Sequence, residues 1–307
     1  MCVKKLFFFL VLLKRFFCYV INYLGDNVNK EKLVGFFLLL LVFFAINYLS
    51  SQEFSEEVEG KLGVYVFDVG QADSILLTNN DYNMLIDAGN NDDGEMIVSK
   101  LQSYGIEKID YLVGTHPHED HIGGMDDIIN NFEIGAIFMP DVVNSTDFYL
   151  DVLEAVDKKS LVVDTPNIDD SFYLGDAKVD VLYLDNNEKE LNDCSIILKV
   201  TFGENKFLFM GDASFEVEDK ILYKKIKADV LKVGHHGSNT SSSSDFLDMV
   251  RPDYAVISVG EDNKYNHPGK GAVDRLDDVG ADIYRTDKNG DVKFISDGNE
   301  IFVEVAR

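Results

Sequence analysis

The sequence predicts an α/β fold for the part of this 307-residue chain that follows residue 50. Short runs rich in β-branched and aromatic residues alternate with segments of helical spacing. Several of these runs end directly in histidine or aspartate, which is typical of α/β domains, where functional side chains gather at strand ends. A hydrophobic content of 46% is enough to fill one large core, so one main domain is expected.

The first fifty residues are predicted to be a membrane anchor. Residues 33–49 carry no charge. A helix rises about 1.5 Å per residue, so this run would nearly cross a hydrocarbon layer of roughly 30 Å. An earlier apolar run, residues 6–24, is interrupted by Lys14 and Arg15 and is expected to lie in the interface. The alternative is a cleaved signal peptide, but no small-x-small cleavage site follows the apolar run.

The distribution of charge around the anchor predicts its orientation. Basic residues precede the uncharged run and are Lys4, Lys5, Lys14, Arg15, Lys30 and Lys32. Glutamates follow it within residues 51–61, a predicted acidic linker. The positive-inside rule then places the N-terminus in the cytoplasm and the domain outside, on a single-pass protein of the cell membrane. If both apolar runs cross the membrane, the domain returns to the cytoplasm.

The part after residue 50 is strongly acidic. Of the chain's 28 basic and 54 acidic residues, 6 and 2 precede residue 51, which leaves 22 basic and 52 acidic residues. Such a surface repels polyanions at long range, so a nucleic-acid substrate requires local neutralisation by metals or a few basic residues. Cys2, Cys18 and Cys194 show no paired spacing, so neither a disulfide framework nor a cysteine-based zinc site is expected.

The predicted elements alternate along residues 62–307. Strands are predicted over residues 62–69, 74–77, 82–87, 109–115, 136–139, 179–184, 195–202, 206–210, 229–233, 254–259, 282–284, 292–295 and 301–305. Helices are predicted over residues 95–104, 125–130, 215–226 and 245–250, the last with Ser244 as its N-cap. Turns are expected at the Asn-Gly and Asp-Gly pairs 289–290 and 297–298.

The segment that carries the sharpest chemical signal is Thr115-His-Pro-His-Glu-Asp-His121, which directly follows a predicted strand. Imidazole and carboxylate groups are good ligands for Zn²⁺ and similar ions. A loop at a strand end can aim alternate side chains at one point, and Gly123 and Gly124 suit a tight turn after it. A histidine-rich solvent loop is the alternative, but this density of histidine is typical of a metal site.

Two later segments place further candidate ligands at strand ends. Asp212 follows the strand predicted over residues 206–210, and His235 and His236 follow the one predicted over 229–233. Taken singly, a Gly-Asp pair is usually a turn and paired histidines are often surface residues. Their shared position at strand ends favours ligands that meet at one edge of the fold.

These motifs together resemble the metallo-β-lactamase superfamily. The resemblance is closest to the hydrolase domain of ComEC/Rec2 DNA-internalisation proteins and extends over residues 64–305. It is carried by these segments, in this order: Phe67-Asp-Val-Gly-Gln-Ala-Asp-Ser74, Leu85-Ile-Asp-Ala-Gly89, His121-Ile-Gly-Gly124, Leu231-Lys-Val-Gly-His-His-Gly-Ser238 and Ile257-Ser-Val-Gly260.

The resemblance implies a four-layer αββα sandwich over residues 62–307 with two divalent metal ions at one edge, Zn²⁺ being expected and Mn²⁺ an alternative. His116 and His118 would hold one metal, and Asp120 and His121 the other. Asp212 would bridge both. This assignment makes the chain a metal-dependent hydrolase.

The remaining ligand is left open between two neighbours, His235 and His236. Asp87 would orient ligands from beneath the site. The superfamily's usual middle histidine is absent, since no histidine occurs between residues 122 and 234. Asn192 begins the segment in its place, Asn-Asp-Cys-Ser, so we expect the first metal to be held by fewer protein ligands.

Asp120 and His267 are the candidate catalytic residues. Asp120 could accept a proton from the attacking water, and His267 could contact a phosphate oxygen or protonate the leaving group. His267 could equally be a plain loop histidine. Ser238 and Thr240 are candidate substrate donors, with a role as loop polar residues as the alternative.

The expected activity is phosphodiester hydrolysis, with single-stranded DNA as a possible substrate. The nearest alternative is a phosphorylcholine-type esterase acting on cell-envelope polymers. A non-catalytic partner in DNA uptake is a different class of function, which the full ligand set disfavours. A β-lactamase or lactonase is a third alternative, weakened by the absent middle histidine.

Overall fold

The computed structural model describes residues 59–307 and the single residue Val42. The predicted anchor and most of the predicted linker therefore lie outside the described residues. Within the described part of the chain, no helix combines the length and the apolar character that a membrane crossing needs. The chain divides into two compact units, residues 1–52 and 53–307, and the second contains everything described below.

The first of two sheets has eight strands in the order β15-β14-β1-β2-β3-β4-β5-β6. Its members are β1 Leu62–Val66, β2 Ser74–Asn79, β3 Tyr82–Ala88, β4 Lys108–Val113, β5 Glu133–Phe138, β6 Val163–Asp164, β14 Val292–Ser296 and β15 Ile301–Val305. β1 and β2 pair antiparallel across the turn at residues 70–73. β3, β4 and β5 run parallel, so their carboxyl ends share one edge.

The second sheet has seven strands in the order β13-β12-β11-β10-β9-β8-β7. Its members are β7 Ser171–Leu174, β8 Ala177–Tyr183, β9 Ile197–Phe202, β10 Asn205–Phe209, β11 Val230–Lys232, β12 Tyr254–Ile257 and β13 Asp282–Arg285. The strands from β10 to β13 are parallel, so the residues that follow β10, β11 and β12 also emerge at one edge.

Helices pack on the outer face of each sheet. They are α1 Gly94–Ser103, α2 Glu119–Ile122, α3 Met125–Asn131, α4 Asp147–Lys158, α5 Phe215–Ile221, α6 Ser244–Val250, α7 Lys270–Asp278 and α8 Thr286–Asn289. Residues of α1, α3 and α4 form a core with the first sheet, and residues of α5, α6 and α7 form one with the second.

A third core lies between the two sheets, where side chains such as Val64 and Ile86 pack in one cluster with Phe207 and Val230. Both faces of each sheet carry apolar side chains, one face packing against the other sheet and one against helices. Burial of this apolar surface stabilises the fold by roughly 25 cal/mol per Å². The α/β sandwich with two sheets, expected from the sequence, is confirmed.

Two predicted helix details are wrong. The helix predicted over 215–226 ends at Ile221, because the chain turns there and buries Ile226 separately in the outer core of the second sheet. The cap of α6 is Ser243 rather than Ser244, since the Ser243 hydroxyl accepts a hydrogen bond from the Phe246 amide.

Candidate metal centre

The histidine-rich loop leaves the carboxyl end of β4 and is anchored on Asp87 from the neighbouring strand β3. The Asp87 carboxylate accepts hydrogen bonds from the Thr115 amide, at 2.7 Å, and from the Thr115 hydroxyl, at 2.8 Å. It also lies 2.7 Å from Nδ1 of His121. Asp87 is buried and has a left-handed φ of 59°. Asp87 therefore contacts both the loop backbone and the His121 ring, and its role as an orienter of ligands stays a prediction.

Gly123 and Gly124 serve close packing rather than a left-handed turn. Both have ordinary helical φ angles, −55° and −91°. A Cβ on Gly123 would lie 2.3 Å from the amide nitrogen of Asn91, and one on Gly124 would lie 2.5 Å from the carbonyl oxygen of Ala88. The absence of side chains lets α2 and α3 lie directly on the backbone that follows β3, which fixes the loop against the sheet.

The second sheet contributes Asp212 after β10 and two histidines after β11. The Asp212 amide donates to the Ser195 hydroxyl at 3.0 Å. His235 and His236 both have φ near 50°, which is strained for non-glycine residues and is found at functional sites. Nδ1 of His236 is 3.0 Å from the Ser258 carbonyl oxygen, a hydrogen bond that turns Nε2 toward Asp212.

The two carboxylate oxygens of Asp212 face different sets of imidazole nitrogens. Oδ1 lies 3.3 Å from Nε2 of His121 and 3.8 Å from Nε2 of His236. Oδ2 lies 4.0 Å from Nε2 of His116 and 3.7 Å from Nε2 of His235. One carboxylate thus lies between two groups of possible ligands, which is the arrangement that a bridging ligand requires.

Asp120 and His118 lie beside these two groups of imidazole nitrogens. Oδ2 of Asp120 lies 3.4 Å from Nε2 of His236, and Nδ1 of His118 lies 3.1 Å from Nε2 of His116. Donor atoms of two triads fall within 4.8 Å of one another: His116, His121 and Asp212, and Asp120, His121 and His236. Five of the seven predicted metal ligands belong to these triads, whereas His118 lies beside His116 and His235 lies beside Asp212 without joining either triad.

The site has the chemistry of a cation site. Among the described residues, Nε2 of His121, Nε2 of His236 and Oδ1 of Asp212 are buried with no hydrogen-bond partner. Buried polar atoms normally have a partner, and leaving three together without one is costly. Imidazole and carboxylate donors suit Zn²⁺ and Mn²⁺, so the residues present fit bound metal. The His/Asp groups are able to bind a metal.

The electrostatics of the site divide the histidines into two kinds. Burial lowers the pKa of His116 and His118, which keeps both imidazoles neutral. Burial also acts to lower the pKa of His121 and His236, but the nearby carboxylates, chiefly Asp212, outweigh it and raise both. Since these carboxylates favour the protonated imidazoles, metal binding to His121 and His236 competes with protons.

His236 and His235 have different environments, which the sequence could not distinguish. His236 is buried, and its Nε2 faces Asp120 and Asp212. The side chain of His235 is 27% exposed, and its Nε2 lies 3.3 Å from Nδ2 of Asn192. The geometry favours His236 as the ligand and places His235 beside Asn192 at the mouth of the site. Both remain candidates on distance alone.

A cavity of about 380 Å³ opens onto the cluster. It is lined by Gln71, His118, Glu119, Asp120, Phe148, Asn192, Asp212, His235, His236, Tyr265 and His267. The His267 ring lies 5.5 Å from the His235 ring, and burial together with the neighbouring histidines lowers its pKa. A neutral His267 can donate or accept a hydrogen bond at this cavity, whereas protonating a leaving group would first require it to gain a proton.

Ser238 and Thr240 lie in the loop after β11 and are not among the residues that line this cavity. Their hydroxyl oxygens are 3.0 Å apart, and the Ser238 hydroxyl also accepts from the Thr240 amide. Their role as substrate donors stays a prediction.

A buried ion pair beneath the cluster escaped the sequence reasoning. Nζ of Lys232, at the end of β11, lies 2.7 Å from Oδ2 of Asp73, and both side chains are 1% exposed. Asp73 Oδ1 is 3.7 Å from Nδ1 of His236, and Oδ2 is 4.0 Å from Nδ1 of His121. A lysine inside an otherwise apolar strand was the available signal, because such a charge is retained only with a partner.

Comparison with known proteins identifies the family to which this chain belongs. The model of the metallo-beta-lactamase superfamily matches residues 67–261. The chain belongs to the metallo-beta-lactamase superfamily. The matched residues run from the end of β1 to the loop after β12, so they include the whole candidate metal centre.

Within this superfamily, the similarity to competence proteins expected from the motifs is confirmed. ComE operon protein 3 of Bacillus subtilis is 29% identical over 65% of this chain. Competence protein ComA of Neisseria gonorrhoeae is 30% identical over 77% of it. The chain covers 26% and 32% of the lengths of these two relatives, so it matches one part of each.

The fold is also seen in solved structures. The metallo-beta-lactamase fold protein YhfI from Bacillus subtilis superposes with a TM-score of 0.53 at 15% identity. The match covers 76% of this chain and 99% of that protein. This likeness shows the metallo-beta-lactamase fold.

Proposed function

We propose that this metallo-beta-lactamase superfamily member is a membrane-anchored phosphodiesterase that uses two divalent metal ions. One observation carries the proposal: Oδ1 of Asp212 faces Nε2 of His121 and His236 while Oδ2 faces Nε2 of His116, as the bridging ligand of a two-metal site must. Sites of this kind favour in-line displacement at phosphorus, because both the attacking and the leaving oxygen can be stabilised.

When bound, the two cations supply positive charge for the phosphoryl oxygens and a water activated near neutral pH. The chain's own groups do the rest. His116, His118 and His121 fix the ligand geometry, with Asp87 and Thr115 holding the loop. Asp120 lies at the cavity with 26% of its side chain exposed, where it can accept a proton from the attacking water. A neutral His267 can donate a hydrogen bond to a substrate phosphate oxygen.

The names of the relatives support a nucleic-acid substrate. They are called a ComE operon protein, a competence protein and a recombination protein, and DNA is the polymer that competence and recombination handle. The acidic surface disfavours duplex DNA, whose dense charge would be repelled. We therefore propose single-stranded nucleic acid as the substrate class. The uncharged run 33–49 supports a single-pass anchor that leaves the domain outside the cell.

A phosphorylcholine-type ester is the second candidate, and one feature of the cavity favours it. The rings of Phe148 and Tyr265 and the carboxylate of Glu119 line the cavity together. Aromatic faces next to an acidic group attract quaternary ammonium ions.

Hydrolysis by the purified full chain in detergent tests the proposal. We expect the metal-stripped protein to be inactive on methyl p-nitrophenyl phosphate and on single-stranded DNA, and Zn²⁺ or Mn²⁺ to restore both activities, because the metals provide the nucleophile and the charge. p-Nitrophenylphosphorylcholine serves as the competing substrate and nitrocefin as the control for lactamase activity. Turnover of nitrocefin alone, or hydrolysis that a chelator does not abolish, would overturn the assignment.

A further inference from the structure

A second cavity of about 340 Å³ adjoins the one that opens onto the metal cluster. Both cavities have the size of small-ligand sites. Four residues line both of them: Gln71, Glu119, Asp120 and Tyr265. Asn90, Asn263 and Lys264 complete the lining of the second cavity. A ligand whose reacting group lies at the metals therefore has a neighbouring space into which its next unit can extend.

The lining of the second cavity contains a basic side chain, that of Lys264. Among the described residues that line either cavity, Lys264 is the only lysine or arginine. Its ammonium lies 5.0 Å from the centre of the Tyr265 ring. In a domain with 52 acidic and 22 basic residues after position 50, a lone cation beside the candidate centre is a local attraction for an anion.

Tyr265 presents an aromatic surface at the boundary between the two cavities. It is 52% exposed, and its ring is stacked beside the His267 ring with centroids 5.7 Å apart and an angle of 25° between planes. An exposed aromatic ring next to a cation is the combination that proteins use to bind single-stranded nucleic acid, with a base on the ring and a phosphate on the cation.

The loop that carries both residues is held in shape by Asn263. Its carboxamide oxygen accepts from the amides of Tyr265, at 3.2 Å, and His267, at 3.0 Å. Its nitrogen donates to the carbonyl oxygens of Gly260, at 3.0 Å, and His267, at 2.7 Å. The loop backbone that carries Tyr265 is therefore ordered before a ligand arrives, which lowers the entropy lost on binding.

We propose that Lys264 and Tyr265 form a nucleotide subsite, in which the Tyr265 ring stacks a base of single-stranded nucleic acid and Lys264 pairs with the adjoining phosphate. This rests on the proposed function, because it places the scissile phosphodiester at the metal centre in the first cavity. The base stacks on the face of the Tyr265 ring that the exposed Lys264 ammonium covers in the absence of ligand. On binding, the ammonium moves from the ring to the adjoining phosphate. Glu119 and Asp120 also line this cavity, so Lys264 is the group that favours a phosphate over a choline headgroup here.

Kinetics on two substrates separate binding at this subsite from chemistry at the metals. We expect Tyr265→Ala to raise KM for single-stranded oligothymidylate about tenfold or more with little change in kcat, because stacking of one base is lost. Tyr265→Phe should retain the wild-type KM. KM for methyl p-nitrophenyl phosphate should change much less than KM for the oligonucleotide, because that substrate has neither a base nor a second phosphate. Lys264→Ala should raise KM for the oligonucleotide and reduce its salt dependence by about one phosphate contact.

The chain offers a matched control in Tyr223 and Lys224. The Lys224 ammonium lies 5.6 Å from the Tyr223 ring, and Tyr223 is 81% exposed, but neither residue lines the two cavities. Tyr223→Ala should leave both KM values unchanged. Fluorescence anisotropy with a phosphorothioate oligothymidylate that resists cleavage gives a readout independent of turnover. We expect Tyr265→Ala to weaken its Kd about tenfold, and Tyr223→Ala to leave it unchanged.

Each remaining outcome overturns one specific claim. An equal rise of KM for both substrates in Tyr265→Ala would mean that the ring shapes the metal cavity, and the subsite would be rejected. Loss of p-nitrophenylphosphorylcholine hydrolysis in Tyr265→Ala, with oligonucleotide binding unchanged, would make the site a choline site. Absence of all hydrolysis in the wild type would end the proposed function, whereas the anisotropy comparison would still accept or reject the subsite.

Discussion

Replacement of Asp212 by alanine is expected to reduce phosphodiester hydrolysis by at least about 10³-fold and to lower the amount of metal retained by the protein. The reason is geometric, because one carboxylate lies between both groups of donors and its loss weakens both metal positions together. Metal ions contribute several kcal/mol of transition-state stabilisation, and about 4 kcal/mol corresponds to a 10³-fold change in rate. Turnover of methyl p-nitrophenyl phosphate and elemental analysis after dialysis measure the two effects.

The control for this variant is Asp248→Ala, which removes an exposed carboxylate from α6. Both kcat and metal content should match the wild type. Circular dichroism of the Asp212→Ala protein checks that the sandwich still forms. A folded Asp212→Ala protein with full activity and full metal content would show that Asp212 is not a ligand.

Lys232→Met is expected to destabilise the fold by about 3–5 kcal/mol, because it leaves the Asp73 carboxylate buried without its partner. Chemical denaturation of the full chain in detergent measures the free energy of unfolding. A chelator is present throughout, so that loss of bound metal does not contribute to the difference. The double variant Lys232→Met/Asp73→Asn should recover much of this loss, since it removes both charges.

Lys270→Met is the matched control for Lys232→Met. Lys270 pairs with Asp274 on α7 at 2.5 Å, but the two side chains are 86% and 53% exposed. Exposed pairs of this kind contribute about 0–1 kcal/mol, so only a small change is expected. A Lys232→Met protein no less stable than Lys270→Met would contradict the importance given to the buried pair.

Much of the site could be predicted because its ligands follow strands directly. His116, Asp212 and His236 each come a few residues after a buried apolar run, and the parallel order of the strands brings such ends to a common edge. The density of histidine and aspartate then indicates metal without any knowledge of the tertiary structure. Thirteen of the fifteen described strands were located to within a few residues, whereas the short β6 and β7 were missed.

What escaped prediction depends on backbone geometry and tertiary contacts. The choice between His235 and His236 is set by left-handed backbone angles near 50° and by the Ser258 carbonyl, neither of which a sequence pattern shows. The partner of Lys232, in the second sheet, is Asp73, which lies 159 residues earlier in the chain and directly before β2 of the first sheet. Such a pair forms only when the two sheets pack together.

Four helices were not predicted, namely the four-residue α2 and α8 and the longer α4 and α7. α7 buries only Ala272 and Leu276, so most of its residues are polar. α4 buries Val152, Ala155 and Val156, which share one face at helical spacing. Both longer helices are amphipathic, so the sequence did carry a periodic signal for them. Packing of this face against the neighbouring sheet stabilises each helix.

Anomalous diffraction at the zinc edge, from crystals of the zinc-loaded chain, tests the central claim most directly. The account predicts two peaks about 3.5–4 Å apart, each within about 2.0–2.2 Å of one Asp212 oxygen. The peak on the Asp120 side should be bonded to Nε2 of His236, with His235 unbonded. A single peak, or peaks that lie away from Asp212, would contradict the two-metal site on which the proposed activity depends.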